Sequence, residues 1–315
     1  MLELLELILT TSLWAAVVRI ATPLIFATLG ELICERAGVL NLGIEGIMTI
    51  GAMAGWLWVY QGGDLWGGVV FAAIVGMLFG FLHSILVVYL GLSQHVSGIG
   101  ITMLASSISY YAYTMIIPFS TTPPKIVAFS AFEVPLLSSI PIIGGAFFNQ
   151  TALTYLAYIL VMVTFYVLYK MPLGLTIRMA GENPVANEAQ GINVLLIRTG
   201  AVMVGSALMA IGGAFLTMSA FDAFYFGMIN GRGWICIALV IFASWKPGKA
   251  FLGAILFALF EALQVRAQLI GADVIPYQIF SMMPYFLSIV AMMLVARRAA
   301  YPKALLVPFR QGDRI

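Results

Sequence analysis

Glu45 is the acidic residue whose sequence context points most directly to chemistry. It lies in the segment Asn41-Leu42-Gly43-Ile44-Glu45-Gly46, beside a long apolar run. Ionisable side chains are costly in apolar surroundings and usually mark functional sites. Neighbouring glycines favour an irregular backbone, which must be buried in protein or line an aqueous cavity. Two interpretations follow: Glu45 lines a solute pathway, or it binds loose backbone amides in a structural role.

A second polar group accompanies aromatic residues between positions 221 and 226. Asp222, Asn230 and Arg232 lie close to these rings in sequence. Stacking faces beside hydrogen-bonding groups suit a flat polar ring such as a nucleobase, and an aromatic belt at the membrane surface is the alternative. Further along, Glu261 and Arg266 are candidates for one shared polar site, with snorkelling of Arg266 toward water as its alternative.

Other kinds of chemistry find no support in the sequence. No phosphate-binding GxxxxGK[ST] loop occurs, and the nearest fragment, at residues 246–250, lacks both the leading glycine and the terminal hydroxyl. His83 and His95 are far apart, and no metal-ligand spacing is present. We therefore predict no catalytic residue, no metal site and no cofactor on this chain, and interpret Cys34 and Cys236 as small core residues.

The elements that must position these residues are membrane helices. Hydrophobic residues make up 62% of the chain and charged residues 9%, and the mean hydropathy is +1.05, far from the values of soluble domains. Apolar runs close to the length that crosses a bilayer predict an all-α, polytopic transmembrane bundle of about nine spans. The runs lie near Leu13 to Leu32, Leu40 to Tyr60, Trp66 to Leu90, Val96 to Ile117, Thr151 to Tyr169, Ile197 to Ala220, Gly233 to Ala243, Phe251 to Leu269 and Ile275 to Ala296.

Two of these runs are broken by glycine and suggest an internal repeat. Gly38 to Trp58 and Gly231 to Trp245 are each followed by a glycine-bearing span. Paired, interrupted segments in two halves are a sequence pointer to a transport pathway. Plain helix packing through small residues is the alternative explanation.

Lys and Arg predict the orientation, because cytoplasmic loops carry an excess of them. A single transmembrane domain, 1–315, then has its N-terminus outside, an external loop at 118–150, a cytoplasmic loop at 170–196 and a cytoplasmic tail at 297–315. We expect a multi-pass protein of the bacterial plasma (inner) membrane. The net charge of +2 is small and the residues that carry it are scattered along the chain, which argues against nucleic acid as a partner.

The cytoplasmic loop contains a capped short helix by its sequence. Asn183 is a good N-cap, Pro184 suits the first helical position, and Gly191 is a typical stop. A capped helix projecting between two spans is a candidate docking element, with an ordinary loop as the alternative.

These motifs resemble the permease subunits of ATP-binding cassette importers for nucleosides, which are related to simple-sugar and branched-chain amino-acid permeases. The resemblance rests on the blocks at 30–31, 35–46, 181–192, 230–235, 245–247 and 305–309. It implies a related second permease that forms a heterodimer with this chain, a cytoplasmic ATPase that binds ATP and Mg, and an external substrate-binding protein or lipoprotein. It also implies that residues 181–191 form the coupling helix that contacts the ATPase.

Two sets of candidate residues follow. Those for coupling to the ATPase are Gly181, Glu182, Asn183, Pro184, Ala186, Glu188 and Gly191. Those for the translocation pathway are Asn41, Glu45, Gln94, His95, Asn230, Arg232 and Trp234. His95 stands where the family pattern has an apolar residue, and Cys236 where alanine is common.

The sequence therefore predicts half of the channel of an ATP-driven importer for a nucleoside or purine-like solute. A monosaccharide of the ribose or galactose type is the alternative within the same class. An ion-coupled secondary transporter, with Glu45 as its titratable group, is the alternative from another class.

Overall fold

The computed structural model describes residues 10–117, 122–135, 143–271 and 301–310, together with the isolated residues 138, 140, 278, 282, 286, 289, 290, 293 and 312. Of residues 267–271 only the backbone is described. The described helices are α1 (Thr11–Arg36), α2 (Ile44–Tyr60), α3 (Leu65–Ser84), α4 (Gln94–Ile116), α5 (Ile143–Phe147), α6 (Ala152–Lys170), α7 (Pro172–Glu182), α8 (Pro184–Ala189), α9 (Val194–Phe215), α10 (Arg232–Phe242) and α11 (Pro247–Gly271).

Two helices continue beyond their α-helical ends. The π-helical turn Ile85–Tyr89 extends α3, and the π-helical turn Leu216–Ala220 extends α9. The predicted external loop 118–150 contains α5, the strand β1 (Ala131–Glu133) and the first two residues of its antiparallel partner β2 (Asn149–Thr151). Hydropathy does not predict these elements, because they are too short to form spans.

Five described helical stretches are long and apolar enough to cross a membrane. They are Thr11–Arg36, Leu65–Tyr89, Ala152–Lys170, Val194–Ala220 and Pro247–Arg266. The apolar helices Ile44–Tyr60 and Arg232–Phe242 are shorter. The prediction of an all-α helical membrane protein is confirmed, apart from the small strand pair.

The predicted count of about nine spans is not confirmed by these helices. Helix α4 has 23 residues, but serine, threonine and tyrosine dilute its apolar character, so it is not one of the five. The predicted span at 275–296 lies outside the described residues, apart from isolated positions.

Helix α9 lies at the centre of the described bundle and packs against α1, α2 and α3. Small residues make these approaches close. A Cβ atom at Gly30 of α1 would collide with the carbonyl oxygen of Gly205, and one at Gly51 of α2 would collide with that of Ala210. Backbone-to-backbone approach of this kind is a general way to join helices in lipid, where apolar side chains gain little by leaving the solvent.

This packing predicts opposite effects for two alanine substitutions in α9. A Cβ at Gly205 would collide with the Cys34 sulfur, whereas nothing lies within 4 Å of one at Gly200. Gly205→Ala should destabilise the protein by about 1–3 kcal/mol through overpacking. Gly200→Ala should be neutral or stabilising by up to about 1 kcal/mol, because alanine is the better helix former.

Thermal unfolding of the two detergent-solubilised variants measures the difference. Equal melting temperatures for both would contradict the close packing of α1 on α9.

Candidate functional site

Glu45 connects α2 to the first turn of α10. Its Oε1 accepts a hydrogen bond from the Gly231 amide at 2.8 Å, and its Oε2 accepts one from the Gly233 amide at 2.8 Å. The first amides of a helix have no partner within that helix, and its dipole attracts negative charge. Glu45 thus acts as a side-chain cap supplied by a residue 186 positions away in the chain.

Glycine is required at both positions that Glu45 contacts. Gly231 has a left-handed backbone, with φ of 80°, a conformation that residues with a Cβ atom rarely adopt. A Cβ at Gly233 would lie 2.8 Å from the backbone nitrogen and Cα of Glu45. The two hydrogen bonds agree with the interpretation in which Glu45 binds backbone amides in a structural role. Its role in a solute pathway stays a prediction.

Arg232 extends this junction to α11. Its Nη2 lies 2.7 Å from Oε1 of Glu261 in an ion pair, and its Nη1 donates to the carbonyl oxygens of Met228 and Ile229 at 3.1 and 3.3 Å. The start of α10 therefore contacts two helices. Its backbone amides bind Glu45 of α2, and the side chain of Arg232 binds Glu261 of α11.

The prediction that Glu261 and Arg266 share one polar site is wrong. Glu261 pairs with Arg232, while Arg266 donates to the hydroxyls of Thr10 and Ser12 at 3.0 and 2.8 Å. A spacing of five turns two side chains about 140° apart around a helix, so they point to different neighbours.

A second polar group binds the non-helical backbone between α1 and α2. The Asn41 amide donates to Oε1 of Glu31 at 2.9 Å, and the Leu40 amide donates to Oε1 of Gln94 at 2.8 Å. A ring nitrogen of His83, Nε2, lies 3.2 Å from the Leu40 carbonyl oxygen. Buried side chains from α1, α3 and α4 thus provide the partners that this backbone would otherwise find in water.

Asn41 itself organises the start of α2. Its Oδ1 accepts from the Gly43 amide at 3.0 Å, and its Nδ2 donates to the Ser206 hydroxyl of α9 at 3.1 Å. Of the predicted pathway residues, Asn41 and Gln94 therefore belong to one buried polar group. Glu45 and Arg232 belong to the contact of α2 and α11 with the start of α10, formed by Glu45, residues 231–233 and Glu261, which we call the α10 junction.

The other three predicted pathway residues do not join either group through their side chains. His95 and Asn230 are exposed, and Trp234 is 44% exposed. Asn230 adopts a left-handed backbone, with φ of 52°, immediately before Gly231. Its contribution to the described junction is through the turn that leads into α10.

Glu31 and Glu35 are buried acids that the sequence reasoning did not single out. They lie one turn apart on α1, and they are 0% and 1% exposed. Oε2 of Glu35 accepts from the Trp245 indole at 2.6 Å. Their second oxygens have no hydrogen-bond partner among the described residues. The signal that could have found them is the presence of two acids at a spacing of four in an otherwise apolar run.

An aromatic cluster lies at the other end of α2. It consists of Trp56, Tyr60, Tyr110, Tyr113, Phe224 and Phe226. The rings of Trp56 and Tyr60 are stacked, with centroids 4.8 Å apart and planes at 14°. Phe224 and Phe226 of the predicted aromatic group join this cluster, whereas Phe221 pairs with Tyr225.

The segment at 181–191 contains the capped helix that its sequence predicts. The Asn183 side chain accepts from the Ala186 amide at 3.1 Å, Pro184 occupies the first turn of α8, and Gly191 has a φ of 75°. The docking role of this helix is a separate prediction.

Among the described residues, no group of three or more histidine, cysteine or acidic side chains is placed to hold a metal ion. The site instead consists of short apolar helices, irregular backbone and buried polar side chains. This arrangement is typical of multi-pass membrane proteins that move solutes through discontinuous helices.

Comparison with known proteins gives the family. Residues 13–298 match the family described as "Branched-chain amino acid transport system / permease component". The chain therefore belongs to this family of permeases. No solved structure matches it.

Three relatives illustrate the range of solutes in the family. The chain is 38% identical to a putative glucose ABC transporter permease of Haloferax volcanii, over 80% of this chain and 77% of the relative. It is 35% identical to a nucleoside ABC transporter permease of Lactococcus lactis, over 90% and 92%. It is 33% identical to a guanosine ABC transporter permease of Bacillus subtilis, over 93% and 95%.

The α10 junction predicts a large stability loss for Glu45→Ala. Two amides lose a charged acceptor, and bonds to charged groups contribute about 1.5–3 kcal/mol each. Asp64→Ala is a matched control, because Asp64 caps α3 through the Gly67 amide at 2.8 Å in an exposed setting. It should cost only about 1 kcal/mol. Similar losses of thermal stability in detergent would contradict the junction.

Proposed function

We propose that this permease is one membrane half of an ATP-binding cassette importer that carries a nucleoside or a purine-like solute across the bacterial plasma membrane. The observation that carries the proposal is the pair of relatives named for nucleoside and guanosine transport. They align over at least 90% of this chain and 92% of their own length. The aromatic cluster adds ring faces on which a planar base can stack.

A monosaccharide is the second candidate, and a specific observation favours it. The relative named for glucose has the higher identity, 38%, although the aligned share of both chains is smaller. Sugar rings also pack against aromatic faces. The preference for a nucleoside therefore rests on the extent of alignment and on two relatives against one.

The junction at Glu45 supports the proposal of two related halves in an arrangement of about nine spans. Helices α2 and α10 are both short, and each follows an irregular segment with a left-handed glycine, Gly38 or Gly231. We propose that each crosses the membrane together with that segment, with the N-terminus outside and the C-terminus in the cytoplasm. Discontinuous helices at the interface between repeats are where transporters commonly place their solute path.

The α8 segment supports a proposal for energy coupling. The candidate residues for coupling occupy a short helix and its two ends, between the spanning helices α6 and α9. We propose that this helix docks on a cytoplasmic ATPase, which binds ATP and Mg. A related second permease completes a heterodimer, and an external binding protein or lipoprotein delivers the solute.

The permease then does no chemistry on its solute. Its task is to present the pathway alternately to the two sides, with the free energy supplied by ATP hydrolysis on the partner. In this scheme, Glu45 and Arg232 hold the broken helices together rather than transfer protons.

Uptake by reconstituted vesicles tests the proposal. The permease, its partner permease, the ATPase and the binding protein are reconstituted together, and uptake of radiolabelled guanosine is compared with that of glucose. Uptake of guanosine should require internal ATP and should persist when a protonophore removes the proton gradient. Uptake that survives without ATP but stops with the protonophore would instead identify an ion-coupled transporter, and preferential uptake of glucose would identify the monosaccharide candidate.

The docking role of α8 predicts a selective effect of its cap. A helix of six residues has little stability of its own, so Asn183→Ala should cost about 1 kcal/mol and lower ATP-driven uptake about fivefold. Asn193→Ala is the matched control, because Asn193 caps α9 through the Leu196 amide at the same distance, 3.1 Å. It should change uptake less than twofold. Equal effects on uptake at equal protein levels would refute the coupling role.

A further inference from the structure

The C-terminal residues 301–310, which we call the C-terminal strap, lie against the end of α7 and the start of α8. The Ala304 amide donates to the Gly181 carbonyl oxygen at 2.7 Å. Ala304 and Phe309 are 7% and 8% exposed. Phe309 also packs with a cluster that Val185 of α8 joins, so the strap lies against the proposed docking helix.

Arg198 of α9 fixes the strap from beneath. Arg198 is only 2% exposed. Its guanidinium donates to the carbonyl oxygens of Ala180, Val307 and Ala304 at 3.1, 3.2 and 3.5 Å. Its Cζ also lies 5.9 Å from the centroid of the Phe309 ring. One buried cation thus joins the end of α7 to the strap through carbonyl dipoles.

Two acidic residues of the docking segment add contacts with the chain around the strap. Oε2 of Glu182 lies 3.5 Å from the Lys303 amide, and Oε1 of Glu188 accepts from the Gly312 amide at 3.2 Å. Glu182 is the last residue of α7, and Glu188 lies in the last turn of α8. The position of the docking helix and that of the strap are therefore linked at several points.

A groove of 460 Å³ runs between the strap and the start of α8. Apolar side chains form much of its lining, with Pro184 and Val185 on the helix side and Val307, Pro308 and Phe309 on the strap side. Val307 is 44% exposed, although it is apolar. Glu182 and Lys303 also line the groove and give it charges of both signs.

We propose that the C-terminal strap is the second wall of the ATPase docking surface, and that the groove receives an apolar side chain of the ATPase. This proposal rests on the proposed function, because the ATPase is the occupant. The occupant is argued from continuity: Pro184 and Val185 line the groove and belong to the proposed docking helix. Arg198 is then a positioning residue that acts on docking through the strap.

Cysteine labelling of the assembled transporter tests this proposal. The native cysteines, Cys34 and Cys236, are both buried, so an introduced cysteine is the accessible thiol among the described residues. Three variants are compared with and without the co-expressed ATPase: Val307→Cys in the groove, Leu306→Cys beside it, and Ala189→Cys on α8. Leu306 is a matched control, because it is 42% exposed but does not line the groove.

The expected result is that the ATPase slows maleimide labelling of Val307→Cys and Ala189→Cys at least tenfold and that of Leu306→Cys less than twofold. Protection of Ala189→Cys without protection of Val307→Cys would overturn the role of the strap and leave the proposed function intact. Equal protection of Val307→Cys and Leu306→Cys would overturn the groove. Labelling of all three at unchanged rates, with no ATPase retained, would overturn the proposed function itself.

A second measurement separates docking from folding. Arg198→Gln should weaken retention of the ATPase at least tenfold, and Arg198→Lys, which keeps the charge but not the planar fork, should restore part of it. Thermal unfolding of the two variants in detergent reports on folding separately, and we expect their melting temperatures to stay close to that of the unmodified protein. An unchanged affinity for the ATPase in Arg198→Gln would contradict the positioning role.

Discussion

Two stretches of non-helical backbone, at 37–43 and 221–231, connect apolar helices, and their buried amides and carbonyls must find partners within the protein. An unsatisfied backbone group in the apolar layer costs several kcal/mol. Side chains from distant parts of the chain meet this need: Glu31 and Gln94 bind the first stretch, and Glu45 binds the second. The polar residues of this permease are therefore placed chiefly by where the helices break.

Helix α9 connects the regions that this requirement creates. Near its cytoplasmic end by the predicted orientation, Arg198 holds the C-terminal strap. Further along, Ser206 accepts from Asn41, and Thr217 donates to the carbonyl oxygen of Ala52 in α2. Small residues keep α9 in close contact with α1, α2 and α3 over this length. The contacts of α9 therefore join the proposed docking surface to the backbone that precedes α2.

Some of this arrangement was predictable from local sequence, and some was not. Hydropathy predicted the long apolar helices, and Asn183, Pro184 and Gly191 predicted α8, because caps and stops act within a few residues. The partner of Glu45 was not predictable, since it lies 186 positions away. Glu261 and Arg266 show the same limit: closeness in sequence suggested a pair, but the angle between their side chains around α11 directs Glu261 to Arg232. The partners of Arg198 are backbone carbonyls, which no residue type in the sequence reveals.

The α10 junction has a consequence for how a pathway can open. Glu45 fills the first turn of α10, so any conformation that separates α2 from α10 exposes a carboxylate and the amides of Gly231 and Gly233 together. All of these groups then need new partners, and in the membrane only water or a polar solute can supply them. Separation at this junction and entry of water or solute are thus coupled. In the proposed pathway, the α10 junction can therefore separate only as water or solute reaches it.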